Sequence, residues 1–112
     1  MTAAPATAFK ILAAAEWAEF QAAGRFEGSP ADLTDGFIHL SAADQVEGTL
    51  ACHFPDRQDL VLVEMDLGAL GDSLRWEESR DGVLFPHVYA ALPLSAVLGS
   101  NRLLRPGPAH PA

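Results

Sequence analysis

Phe9-Lys10-Ile11-Leu12 is a short apolar run long enough for a first strand, and the alanine-rich segment behind it changes period. Ala13, Trp17, Phe20 and Gly24 are spaced four, three and four apart, which puts them on one face of a helix. Gly24 and then Gly28-Ser29-Pro30 predict a stop near Ala23 and a loop, since Gly tolerates left-handed backbone and Pro cannot donate. Asp35-Gly36 marks a turn, and Phe37-Ile38-His39-Leu40 reads as a strand of aromatic and β-branched type. Ser41-Ala42-Ala43-Asp44 has the form of a helix start, with the serine as cap and the acid in the first turn. Val46, Leu50 and His53, extended by Phe54, form the inward stripe of that second helix before Pro55 and a polar stretch.

Leu60-Val61-Leu62-Val63 is unbroken in its hydrophobicity, as expected of a central strand covered on both faces. Leu74-Arg75-Trp76-Glu77 and Val83 to Ala90 flank the turn Ser79-Arg80-Asp81-Gly82 and predict a hairpin. Pro86 lacks a ladder donor, so the second arm is expected at a sheet edge, or bulged or bent there. Leu92 to Val97 reads as a turn or short helix and Asn101 to Arg105 as a last strand. No repeat or linker divides the chain. The expected layout is a flexible start over 1–8, one α+β domain over 9–105 and a flexible tail over 106–112.

The 112 residues are enough for one core, and 49% hydrophobic against 20% charged residues suits a folded domain. Seven basic against fifteen acidic residues give a net charge of −8. Phosphate backbones are gripped by clustered Lys and Arg, so nucleic acid is not an expected partner. Cys52 is the single cysteine, and a small secreted chain is commonly stapled by disulfides, so the expected address is cytoplasmic. Met1 to Ala8 has no basic start followed by a long apolar stretch, and no run approaches the roughly 18 apolar residues of a span, so no membrane partner is expected.

Strand alternation places Phe37, His39 and Ser41 on one face and Phe85, His87 and Tyr89 on one face of the hairpin's second arm. Should those faces meet, the rings would stack a planar ligand while imidazoles and hydroxyls bond a ribose. The alternative makes both histidines hydrogen-bonded half-core residues beside a capping serine. Arg80 offers a planar fork for phosphate or carboxylate, against the plainer account of a solvated pair with Glu77 or Glu78. Glu77 is a candidate carboxylate for a developing oxocarbenium charge. Lys10, at a strand start, is expected to face solvent. His39, His53 and His87 form the one histidine set to weigh for zinc. They lack the i, i+4 pair of helical zinc motifs, so no metal site is expected.

Trp17, the segment Gly24 to Ser29, Asp35 to Ser41, His53-Phe54, Leu60 to Asp66, Leu74 to Glu77 and Leu84 to Tyr89 together resemble the bacterial domain of unknown function 952. That resemblance implies a fold similar to the ADP-ribosyltransferase domain: an α+β single domain with a bent, split β-sheet and two flanking helices. Ile38-His39-Leu40-Ser41 is also loosely similar to the His-Leu-Ser piece of RNA 2′-phosphotransferases, in which a histidine or arginine stands near the place of Lys10. The family resemblance implies no established reaction; joined to the paired aromatic and histidine faces, it makes the leading expectation a ligand of the NAD or ADP-ribose type, with weak or lost transferase or glycohydrolase activity. The expected catalytic residues are His39, His87 and Glu77. Ser41, Phe37, Arg80, Tyr89, Lys10 and Phe85 are the expected ligand contacts, in a monomer or weak homodimer. Two other classes stay open, a partner-binding domain without chemistry and a metal-dependent hydrolase.

Overall fold

The computed structural model describes residues 5–79 and 82–103. The first strand, β1 (Thr7–Ala13), begins two residues before the expected start of the domain, and Ala8 is wholly buried. It pairs antiparallel with β4 (Leu60–Asp66), which pairs in turn with β8 (Val97–Arg102). β4 is therefore central, as its apolar run predicts. Val61, Val63 and Met65 enter the main core, while Leu60 and Leu62 meet Val46 and Leu50 on the opposite face. Both faces are covered there, which is why the run does not alternate.

Helix α1 (Ala14–Ala23) follows β1 directly and buries Phe20 between Trp17, edge-on at 5.4 Å, and Phe26, stacked at 5.7 Å. Gly24 ends it with φ 78°, its N–H returning to the Phe20 carbonyl at 2.9 Å, the left-handed cap that glycine adopts without a Cβ penalty. Phe26 lies on β2 (Arg25–Phe26), which pairs with β7 (Leu92–Pro93). A single turn of 3-10 helix over Leu94–Ala96 then leads into β8.

The segment expected to be a loop after Gly28 is a third helix, α2 (Pro30–Asp35). The expectation of two flanking helices is corrected here. Pro30 supplies a pre-set φ at the first helical position, and the Asp32 carboxylate reaches back to the Ser29 N–H at 2.8 Å. These local bonds hold a helix too short to persist on propensity alone. The helix expected to start at Ser41 is also corrected. Ser41 remains extended, exchanging main-chain bonds with Phe9 at 2.7 and 2.8 Å, and a 3-10 turn over Ala43–Gln45 precedes α3 (Val46–His53). Gln45 Oε1, rather than Ser41, receives the Ala42 N–H.

β3 (Ile38–His39), β6 (Leu84–Val88) and β5 (Leu74–Glu78) form a further sheet with β6 in the middle. Pro86 therefore sits in a central strand, against the expectation of an edge. Its carbonyl accepts from Leu40 at 3.0 Å, so its missing donor faces the same side, at a rung one residue beyond the two-residue pairing of β3 with β6. Beyond that rung the chain leaves β6 and joins β1 through Ser41. The 38–41 segment thus spans two sheets that part, and the cleft opens at the parting. No helix of the described residues is long and apolar enough to cross a membrane.

Candidate functional site

Register decides the faces of the β3-β6-β5 sheet. His39 lies opposite His87, and Arg75 opposite His87 on the other side. Ile38, Leu40, Pro86 and Val88 fill the core face. The opposite face carries Phe37, His39, Phe85, His87, Tyr89, Arg75 and Glu77. The ring centroids of His39 and His87 are 5.6 Å apart, and Phe37 stacks on His87 at 4.1 Å and touches His39 at 4.6 Å and Tyr89 at 5.4 Å.

A cleft of about 530 Å³ adjoins this face, lined among others by Phe9, Asp35, His39, Ser41, Phe85 and His87. Phe37 and Tyr89 stand on a neighbouring hollow of about 240 Å³ instead. Ser41 is buried on the cleft wall with its hydroxyl 2.9 Å from that of Thr49 on α3. Arg80 lies outside the described residues. His53, expected on an inward stripe, is exposed and reaches only the cleft margin, because α3 packs through Val46 and Leu50.

Lys10 is the sharpest correction. It alternates with Ala8 and Leu12 on the core face of β1 and is 6% exposed rather than solvent-facing. Its Nζ donates to Asp32 Oδ2 at 2.9 Å, to Oδ1 at 3.2 Å and to the His39 carbonyl at 3.2 Å. Asp32, 3% exposed, also accepts the His39 N–H at 3.1 Å and faces His39 Nδ1 at 2.6 Å. Burial pushes this carboxyl up, but the bonds and charge of His39, Lys10 and Ser29 outweigh burial and hold it at about 2. The other ring nitrogen of His39 meets Asp35 Oδ2 at 2.9 Å. Carboxylates only accept, so both contacts are satisfied when the ring carries both protons. Asp32 and Asp35 were not among the expected site residues. Their local signal was Ser29-Pro30 with an acid at Asp32, the pattern of a helix start.

His87, 4% exposed, is held differently. Its Nδ1 lies 2.9 Å from Glu77 Oε1, which also accepts from the Tyr89 hydroxyl at 2.7 Å. The Tyr89 hydroxyl and then His87 hold the Glu77 carboxyl below its usual range, and Glu77 pushes the Tyr89 hydroxyl up. Glu77 thus stands behind His87, not on the cleft wall where an oxocarbenium-facing carboxylate would be needed. Arg75 covers the outer face of the Tyr89 ring at 5.5 Å. Among the described residues no three His, Cys, Asp or Glu side chains converge as a metal site.

The fold and cleft define a small single-domain α+β protein with several sheets, a few helices and a histidine-lined cavity. The chain belongs to the family described as "Protein of unknown function (DUF952)", whose pattern matches residues 11–100. It is similar to protein CC0527 from Caulobacter crescentus. The crystal structure of that protein is 47% identical over 85% of this chain and 83% of the other, with a TM-score of 0.82. Its solution NMR structure gives 46% identity, 88% and 85% coverage and a TM-score of 0.79. No curated protein matches the sequence.

Proposed function

We propose that this domain binds a nucleotide-like small molecule of the NAD or ADP-ribose type in the cleft beside His39 and His87, with slow or no turnover. One observation carries the reading: two histidines from different strands meet on the wall of a cleft of about 530 Å³, a volume suited to a small ligand. Phe85 and Phe9 supply apolar surface for a planar ring, and His87 and Ser41 supply polar groups for ribose hydroxyls. Slow turnover follows from Glu77, because its carboxylate is committed to His87 and Tyr89 and is not free to face a ribosyl cation. The similarity to the ADP-ribosyltransferase fold belongs to this proposal, as does a cytoplasmic address, for which the unpaired Cys52 speaks. A metal-dependent hydrolase has no ligand set among the described residues. A partner-binding role rests on the exposed Val83 and Leu84 of the β5-β6 hairpin.

Calorimetry with NAD and ADP-ribose tests the proposal, using wild type and His87→Ala with folding checked by circular dichroism. Binding by wild type that is lost in a folded His87→Ala variant is the expected result. No heat from either ligand with wild type, or equal affinity in the variant, refutes it.

A further inference from the structure

The two histidines differ in what their rings can offer the cleft. His39 has a carboxylate on each ring nitrogen. His87 has one, Glu77 on Nδ1, and its Nε2 makes no hydrogen bond to a described residue. No fully enclosed side-chain nitrogen or oxygen among the described residues lacks a partner. Nε2 therefore reaches the cleft, on whose wall His87 stands. Phe37 covers one face of the ring at 4.1 Å, so the imidazole meets a ligand through that edge.

In a neutral imidazole one nitrogen donates and the other accepts, and the bond made by one decides the role of the other. Glu77 takes a proton donor at Nδ1, and its carboxylate is kept in place by Tyr89 donating to the same oxygen at 2.7 Å. We infer that His87 is the proton acceptor of the cleft, fixed as its Nδ1–H tautomer by Glu77 and Tyr89 and receiving a hydroxyl of the bound ligand at Nε2. The identity of that ligand rests on the nucleotide reading above; the acceptor assignment does not. A ribose hydroxyl fits the donor required, and a carbonyl or an unprotonated phosphate oxygen does not, since either would set two acceptors against each other. Glu77 and Tyr89 act through His87 as positioning residues. The same alignment lets Nε2 take a proton from a hydroxyl or water that becomes a nucleophile.

Nitrogen-15 NMR of the His87 ring at mildly alkaline pH decides the assignment, since protonated and unprotonated ring nitrogens resonate in separate ranges. Wild type is expected to show Nδ1 protonated and Nε2 bare. Glu77→Ala, at a part-exposed position, is expected to keep the amide fingerprint of the fold while its ring turns to the Nε2–H form. ADP-ribose is expected to shift the Nε2 resonance of wild type and to bind Glu77→Ala roughly tenfold more weakly, the effect of one well-placed hydrogen bond. An Nε2–H ring in wild type, a tautomer indifferent to Glu77→Ala, or ADP-ribose binding that leaves Nε2 unmoved overturns the inference. If ADP-ribose does not bind wild type while the tautomer depends on Glu77 as stated, the nucleotide reading falls and the proton-acceptor assignment stands.

Discussion

Replacing Asp32 by Asn takes the charge from the buried junction of β1, α2 and β3. The carboxylate accepts from Lys10, from the N–H groups of Ser29 and His39 and from the His39 ring, and Lys10 and Asp32 side chains are 7% and 2% exposed. Removing one partner of such a pair leaves an ammonium buried without its counter-charge, which costs about 3–5 kcal/mol. The same contacts make stability depend on pH. The carboxyl sits at about 2 in the folded chain against an ordinary value of 3.8; at roughly 1.4 kcal/mol per unit, that difference is about 2–3 kcal/mol of stability. Because the folded value is the lower one, this contribution is complete above about pH 4 and is lost as pH falls towards 2. Urea unfolding of wild type and Asp32→Asn at pH 7, 4, 3 and 2 reads both quantities. The variant should be several kcal/mol less stable at pH 7 and should show a shallower acid loss than wild type. Adding Lys10→Met to Asp32→Asn should restore part of the loss, since the orphaned charge is gone. A variant within about 1 kcal/mol of wild type at pH 7, an acid loss equal in both, or a double variant weaker than the single one refutes the reasoning.

Gly24→Ala should cost about 1 kcal/mol by urea midpoint, because the left-handed φ of 78° is the only obstacle and a Cβ there meets nothing within 4 Å. Phe20→Ala should cost about 3–5 kcal/mol, since the ring is 1% exposed between Trp17 and Phe26; a near-neutral midpoint would deny it that place. Ser41→Ala should cost about 0.5–1.5 kcal/mol by removing the 2.9 Å hydroxyl contact with Thr49, whose own bond to the Gln45 carbonyl at 3.1 Å remains, and Ser41→Ala/Thr49→Val should be milder than the sum of the single changes. Additive losses would show that the two hydroxyls do not interact.

Several parts of the site were legible because they depend on strand parity. Phe37 and His39, and Phe85, His87 and Tyr89, share faces by alternation alone. That the two sets lie on the same side of one sheet required the register His39 opposite His87, a long-range pairing without a local signature. Ser41 shows local signal losing to tertiary contact. Its sequence suits a helix cap, but two main-chain bonds to Phe9 satisfy more of its backbone than a cap would. Pro86 shows the same from the other side, tolerated in a central strand because the missing donor falls where β3 ends.

The sequence by itself determined the order of strands and helices over most of the chain, the central place of Leu60 to Val63 and the hairpin over Leu74 to Val88, because each is written in short-range periodicity. The start of α2 is written locally in Ser29-Pro30 and Asp32, and only the tertiary structure decided the charges that gather around it. Lys10 finds Asp32 across 22 residues, and α2 is a helix of six residues whose stability comes from what Asp32 grips. Hydrophobic alternation reports which way a side chain points. It does not report which charge waits there, and that charge turns an expected surface lysine into a buried anchor behind His39.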